Sequence, residues 1–387
     1  MAKDWVMKTY LRHYEIKAGD VLAAYLAWAG GESGRKNSYR VDDEYGSAGA
    51  LIMEIYQEIR SRSLWFRPIH RYKRVEPTNG KTRIIGVESV KQQVCDYLVV
   101  TLLEPLYSAK VGFYQVASVK GKGQNICRKA LRRWVEHTKY HVKMDFRQCY
   151  PSTPHRVVMR MYGRLVGSPD VLYVISTLLA TYNGGGLEIG SYFSLRTMQL
   201  VLSYGYHHVE GLSKSKRGKS ARLVRHQIWH MDDVLLLGTD KRNLKMAARS
   251  LERYMRRWFG LTIKPWKIAK TGETECLDLG GWVTRRRCST ARAGTFLRAT
   301  RSFRRFIRCP SPRRAKKCTS YWGWFKYGDM DRVRDERGIG ATFAHARSVI
   351  SRADRLGASH GNNPISDTAG TRARETEKRV RRHLAAP

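Results

Sequence analysis

No apolar run in the 387 residues approaches the ~18 uninterrupted residues of a membrane-spanning helix, so an integral membrane helix is not expected. The opening residues Met1-Ala2-Lys3-Asp4-Trp5 lack the charged start, long apolar middle and small-residue cleavage site of a secretory leader, and the expected location is cytoplasmic. Cysteine is present without a pattern. Cys95, Cys127, Cys149, Cys276, Cys288, Cys309 and Cys318 include no CxxC pair and no histidine at zinc-finger spacing, which leaves reduced, mostly buried thiols. No internal repeat is visible. Acid is scarce: 33 Asp and Glu face 72 Lys and Arg, a formal charge of +39 that points to polyanionic partners. Because 42% of the residues are hydrophobic, this charge belongs to a folded chain rather than a disordered tail.

Apolar spacing predicts helices over Val21 to Trp28 and around Leu51 to Ile59, with Gly30 to Ser38 read as a connector between them. Two β-like runs from His70 to Val87 surround Asn79-Gly80, a strong hairpin signal in a basic segment. Val90, Val94, Leu98 and Leu102 then recur at four-residue spacing, giving a helix closed by Pro105 and packed under the hairpin. Another basic helix is expected from about Asn125 to His137. From Asp240 to Phe259, Leu244, Ala247, Leu251, Met255 and Phe259 mark one face, with Asp240 as the cap and Gly260 as the stop. The opposite face carries Lys241, Arg242, Lys245, Arg249, Arg253 and Arg256, either as a solvated face or as a nucleic-acid contact. After Arg285 the chain is Arg-rich with interspersed aromatics, as in a basic helical domain whose rings form either its core or stacking surfaces. Ala358 to Thr371 reads as a flexible stretch leading to a short charged helix, Arg372 to Leu384.

Two acidic segments carry chemistry. His141 to Phe146 alternates like a strand and delivers Asp145 at its end; Gln227 to Leu237 sets Asp232 and Asp233 between two apolar runs, as at a hairpin turn. Three converging carboxylates repel one another unless cations neutralise them, and oxygen ligands of this kind suit Mg²⁺. An Asp-Asp pair alone is an ordinary turn feature.

Over roughly Arg67 to Val283 the chain resembles the reverse transcriptase family. Met144-Asp145-Phe146 with Tyr150-Pro151-Ser152 is similar to the family's first acidic motif, and His230-Met231-Asp232-Asp233 to its second, usually Tyr-x-Asp-Asp. Lys81 to Val87 resembles the fingers motif of bacterial enzymes, Gly186 to Ser194 the template-contacting motif, and Leu279-Gly280-Gly281-Trp282 the primer grip. The resemblance implies an α+β right-hand polymerase fold: an N-terminal helical extension over 1–65, fingers over 66–140, a palm over 141–288, and a helical basic thumb with a tail over 289–387. It implies an RNA-directed DNA polymerase working with two Mg²⁺ ions, or Mn²⁺ in their place, held by Asp145, Asp232, Asp233 and the Phe146 carbonyl. Lys81, Arg83, Tyr150, Gly190 and Lys267 would meet the deoxynucleoside triphosphate, with Tyr150 as a ring under the sugar that excludes a 2′-hydroxyl. One of Lys264, Lys267 and Lys270 would stand near the leaving pyrophosphate. His230, Ile189, Gly280, Gly281 and Trp282 would handle primer and template, and Lys73 and Arg74 the template.

His230 replaces the family's tyrosine, Ile189 its glutamine, and Leu195 the Pro or Gln after Ser194. An Ile-Gly at that place resembles diversity-generating retroelement enzymes and the unclassified, defence-associated bacterial branch. Ser320 to Phe325 resembles the tails of the latter, and no maturase-like region or His-Asn-His-type endonuclease is recognised. The expected partners are therefore a dedicated noncoding RNA as template, the complementary DNA product and, in antiphage defence, a second protein of the same operon. The alternatives are a diversity-generating retroelement polymerase and a catalytically idle RNA-binding scaffold of the same fold.

Overall fold

The computed structural model describes residues 9–75, 80, 82–119, 121–216, 218–271 and 276–359. Four helices come first: α1 (Ala18–Gly30), α2 (Glu32–Asn37), α3 (Tyr39–Tyr45) and α4 (Ala48–Arg60). α1 and α4 bury the expected apolar residues, among them Val21, Leu22 and Trp28 on one and Leu51, Ile55 and Ile59 on the other. The expected connector is instead largely α2. Its glycine serves contact rather than looseness, since a Cβ on Gly34 would overlap the Trp28 carbonyl. Strands β1 (His70–Val75) and β2 (Thr82–Val87) form the basic hairpin, in register from His70↔Val87 to Val75↔Thr82. Gly80 has φ +70°; Asn79 and Lys81, and with them the expected Asn-Gly turn, lie outside the described residues. Helix α5 (Val90–Leu102) is capped by the Ser89 hydroxyl and ends before α6 (Glu104–Lys110). Pro105 thus opens α6, where its missing N–H costs nothing, rather than closing α5.

The middle of the chain runs α7 (Gln124–Val135), β3 (Tyr140–Asp145), α8 (His155–Leu165), α9 (Pro169–Ala180), α10 (Tyr192–Gly211), the small hairpin β4 (Ser213–Lys216) with β5 (Lys219–Arg222), β6 (His226–His230), β7 (Asp233–Gly238), α11 (Lys241–Phe259) and β8 (Ile268–Lys270). β6, β7, β3 and β8 form one antiparallel sheet in that order. α5 packs chiefly on α1, α9 and α10 rather than under the hairpin, which is held elsewhere, at residues 188–190. α11 matches its expected bounds: the Asp240 carboxylate accepts from the Asn243 N–H at 2.8 Å, and Gly260 ends the helix at φ +69°.

Alternation along the strands gives the sheet two buried faces. Val142, Met144, Val234 and Leu236 join the large core shared with α1, α5, α10 and α11. Ile228, Leu235 and Leu237 point the other way, onto Leu131 and Trp134 of α7 and Leu277 and Leu279 of β9 (Leu277–Leu279). β9 pairs with β10 (Trp282–Thr284), and β10 with β11 (Ser289–Ala291). Helices α12 (Ala293–Arg308), α13 (Pro312–Tyr327), α14 (Asp331–Glu336) and α15 (Ile339–Ser359) build a separate core around Phe303, Phe306 and Phe325, so most of the aromatics after Arg285 are packing residues. Asp329 ties this unit back, accepting from Ser289 N–H at 2.7 Å and pairing with Arg132 of α7 at 2.6 Å. Ala358 and Ser359, the expected start of a flexible stretch, are instead the end of α15; the rest of that stretch and the expected helix, 360–387, lie outside the described residues. The chain is thus α+β, as expected, and no described helix is long and apolar enough to cross a membrane. Cys95, Cys127, Cys149 and Cys318 are buried, and all seven thiols are free.

A buried acid pair fastens α5 to the start of α10. Asp96 accepts from the Ser191 hydroxyl at 2.7 Å and the Phe193 N–H at 2.9 Å, while Glu88 sits beside it with Tyr182. Burial raises both carboxyls, Asp96 to about 6; the Asp96 charge and hydrogen bond raise Glu88 further, whereas the hydrogen bond that protonated Glu88 gives to Asp96 opposes the rise there, so the pair shares one proton. Acids raised in the folded state contribute stability below their unfolded values near pH 4, which is lost as pH rises through the folded ones. Thermal stability is therefore expected to decline from about pH 4 past pH 6, and Glu88→Gln, which keeps a hydrogen-bond donor toward Asp96, to flatten that decline. Melting curves across this range check it; parallel profiles would contradict the shared proton.

Candidate active site

β3 stops at Asp145 because the chain turns away. Phe146 bridges to Ile263, Gln148 takes a left-handed φ of +42°, and a tight turn through Tyr150 reaches Pro154, the cap of α8. Between β6 and β7 the turn is Met231-Asp232, with Met231 at φ +54°, a backbone region costly for a bulky residue. The Phe146 N–H donates to the Asp232 carbonyl at 3.3 Å and holds the two acidic segments side by side. His230 pairs with Asp233 across the turn, and Asp233 with Asp145 across β7 and β3. Residues directly opposite in an antiparallel ladder share a face. His230, Asp233 and Asp145 therefore form a row on the α7 side of the sheet, at the end its packing leaves half-exposed.

The acids act on one another. The Asp232 carboxyl is raised by burial first, then by Asp233 and Asp145, with Arg83 opposing. Asp145 Oδ2 accepts from Lys264 Nζ at 2.6 Å, but Asp145 Oδ1 is buried with no hydrogen-bond partner. A buried carboxylate oxygen without a donor costs about 1–3 kcal/mol and is suited to a cation. Lys143 Nζ lies 3.7 Å from Asp233. The all-oxygen donor set, the repulsion and the orphaned oxygen together fit Mg²⁺; among the described residues no three acid, His or Cys side chains already form a closed ligand cluster.

The other expected residues fall into three places. Arg83, on β2, is exposed, and its charge reaches Asp232, Tyr150 and Cys149. Tyr150 is half-buried beside them, its hydroxyl pushed up by burial first, then by Cys149 and Asp232. Its carbonyl accepts from the Leu187 N–H at 2.9 Å, which brings the 186–194 segment to the acids. That segment grips the hairpin: Gly86 N–H donates to Ile189 O at 2.8 Å, Arg71 Nη2 lies 2.6 Å from Glu188, and a Cβ on Gly190, at φ +123°, would overlap the Gly86 carbonyl. Gly190→Ala is accordingly expected to cost about 1–3 kcal/mol of stability and to loosen the hairpin that carries Arg83. A melting temperature equal to wild type would contradict this.

Gly280 and Gly281 make the two-residue turn between β9 and β10, both at positive φ as a type I′ turn requires. A Cβ on Gly280 would stand 3.4 Å from His230 Cδ2, so the turn abuts the acidic row. Trp282 is buried behind it, 4.5 Å from Trp324, with the Arg128 guanidinium 5.8 Å from its ring centroid.

No protein-family model and no curated protein matches this chain.

Of the three lysines in the expected pyrophosphate region, Lys264 is the one brought onto Asp145; its N–H also donates to the Asp145 carbonyl at 2.9 Å. Lys267 is exposed three residues further on. Sequence reading missed Lys143, the Arg71–Glu188 pair and the Glu88–Asp96 pair. A glutamate inside the 186–194 motif was visible as an unusual acid in a basic chain, but nothing in the sequence pointed to Arg71.

Proposed function

We infer that the chain is an RNA-directed DNA polymerase, a right hand whose hairpin β1–β2 belongs to the fingers, whose central sheet is the palm and whose α12–α15 form the thumb. The observation that carries this reading is the row of Asp145 and Asp233 with Asp232 in the adjoining turn, mutually repelling and within reach of Arg83 and Tyr150. Asp145, Asp232, Asp233 and the Phe146 carbonyl would hold two Mg²⁺ ions, which supply activation of the primer 3′-hydroxyl and stabilisation of the departing pyrophosphate in an in-line displacement. Arg83 would bind triphosphate oxygens through its planar fork. Tyr150 would lie under the sugar. Lys264, hydrogen-bonded to Asp145, would give a proton to the pyrophosphate as general acid once that bond is released. The Gly280-Gly281 turn beside His230 would seat the primer end. By its resemblance, the enzyme copies a dedicated noncoding RNA in bacterial antiphage defence.

Primer extension by the purified full chain, with an RNA template, deoxynucleoside triphosphates and Mg²⁺, tests the chemistry. The expected product is DNA complementary to the template. Binding of that RNA with no extension in either Mg²⁺ or Mn²⁺ would support an idle scaffold instead.

A further inference from the structure

α11 lies on the far side of the central sheet from the acids. Its buried Leu244, Ala247, Leu251 and Met255 join the core with Val142, Met144, Val234 and Leu236, whereas Asp145 and Asp233 share the opposite face with Leu235. Its outer surface is therefore separate from the site already described. Over 19 residues, about 28 Å, α11 carries seven Lys and Arg and one acid, Glu252. That acid is 3.4 Å from Arg256. A merely solvated helix face usually alternates its charges in i,i+4 pairs. Here Lys245, Arg249, Arg253 and Arg257 are all exposed, and among the described residues none of the ion pairs involves them.

Two further features narrow the partner. Trp258 is 48% exposed, with the Arg257 guanidinium 5.3 Å from its ring centroid, and Met246 is equally exposed on the same helix. A large exposed ring beside a guanidinium offers a stacking platform for an unpaired base. Next to it, α8 exposes Arg156, Arg160 and Arg164 at four-residue spacing, about 6 Å per step along the axis. Arg164 and Tyr254 of α11 both act on Tyr204, and Gly260, at the end of α11, approaches Pro154, the cap of α8.

We propose that the outer face of α11, flanked by α8, is a second nucleic-acid surface that holds a single-stranded or looped RNA, with phosphates along Arg249, Arg253 and Arg257 and a base on Trp258. The choice of RNA over DNA rests on the polymerase reading; the surface itself does not. It would anchor the body of a long RNA on the back of the sheet while another part reaches the acids.

The test uses the full chain and a fluorescently labelled, unstructured 30-nucleotide RNA, binding being read by anisotropy across a salt series. Arg249→Gln/Arg253→Gln/Arg257→Gln is expected to weaken binding at least about 10-fold near 150 mM salt and to reduce the slope of log affinity against log salt by about 2, the loss of three single-strand phosphate contacts. Trp258→Ala is expected to cost about 5- to 100-fold for this RNA and little for duplex DNA. Melting temperatures and incorporation on a short primer-template should stay at wild-type values. If the wild type binds RNA through this face but incorporates nothing, the polymerase reading fails and the surface stands. Unchanged affinity and salt slope in the triple variant would overturn the proposal. So would equal losses for single-stranded DNA of the same sequence, which would remove the preference for RNA, or displacement of the RNA by polyglutamate as readily as by unlabelled RNA, which would point to an acidic protein.

Discussion

Asp232→Asn is expected to abolish nucleotide incorporation and, at the same time, to make the protein harder to melt. The two effects share one cause. Asp232 is held in a partly buried turn against Asp233 and Asp145, and its raised carboxyl reports that ionisation is disfavoured there. An acid raised in the folded state gives stability below its unfolded value and loses it as pH rises through the folded one, so at neutral pH the ionised group opposes folding. Asparagine removes that opposition while keeping the size. A rise in melting temperature is expected, at roughly 1 °C for each 1 kcal/mol of relief in a chain of this size. Incorporation should fall by about 10³-fold or more, since a charge that stabilises the transition state is lost. Mg²⁺ should raise the melting temperature of the wild type, because a ligand bound by the folded state alone stabilises it, and should do so much less in the variant. A variant that melts lower than wild type, or that responds equally to Mg²⁺, would remove the basis for reading these acids as a cation site.

Tyr150→Ala is expected to let ribonucleotides in. The half-buried tyrosine feels the charges of both Asp232 and Arg83, and its backbone carbonyl, which holds Leu187, is kept in the variant. If the ring lies under the incoming sugar, truncation opens room for a 2′-hydroxyl without touching the acids. The ratio of kcat/KM for deoxy- over ribonucleotides should then fall on the order of 10²-fold, the scale on which a shaped pocket discriminates a small group. Tyr150→Phe should keep the wild-type ratio, because the ring rather than the hydroxyl does the excluding. An unchanged ratio in Tyr150→Ala would make the ring a packing residue only.

These residues were legible in the sequence to different degrees, for physical reasons. α11 could be read nearly to the residue because its signals are local: an apolar stripe, an aspartate cap and a terminal glycine all lie within one helix. Asp145 at a strand end and Asp232-Asp233 at a hairpin turn were also readable from alternation and apolar flanks. What the pattern could not supply was partners across long stretches of chain. Lys264 meets Asp145 over 119 residues and Arg71 meets Glu188 over 117, and no periodicity records either. Gly34 looked like a linker residue because close helix contact and chain flexibility both call for glycine. Pro105 misled in a similar way, since proline is compatible with the first turn of one helix as well as with the end of another.

Single-nucleotide incorporation into a primer annealed to RNA, measured side by side for wild type and Asp232→Asn at saturating Mg²⁺, tests the role of the three acids most directly. The prediction is addition of the complementary deoxynucleotide by the wild type, its loss on chelation of the metal, and its absence in the variant. Equal incorporation by both proteins would contradict the assignment of Asp145, Asp232 and Asp233 as the centre of the chemistry.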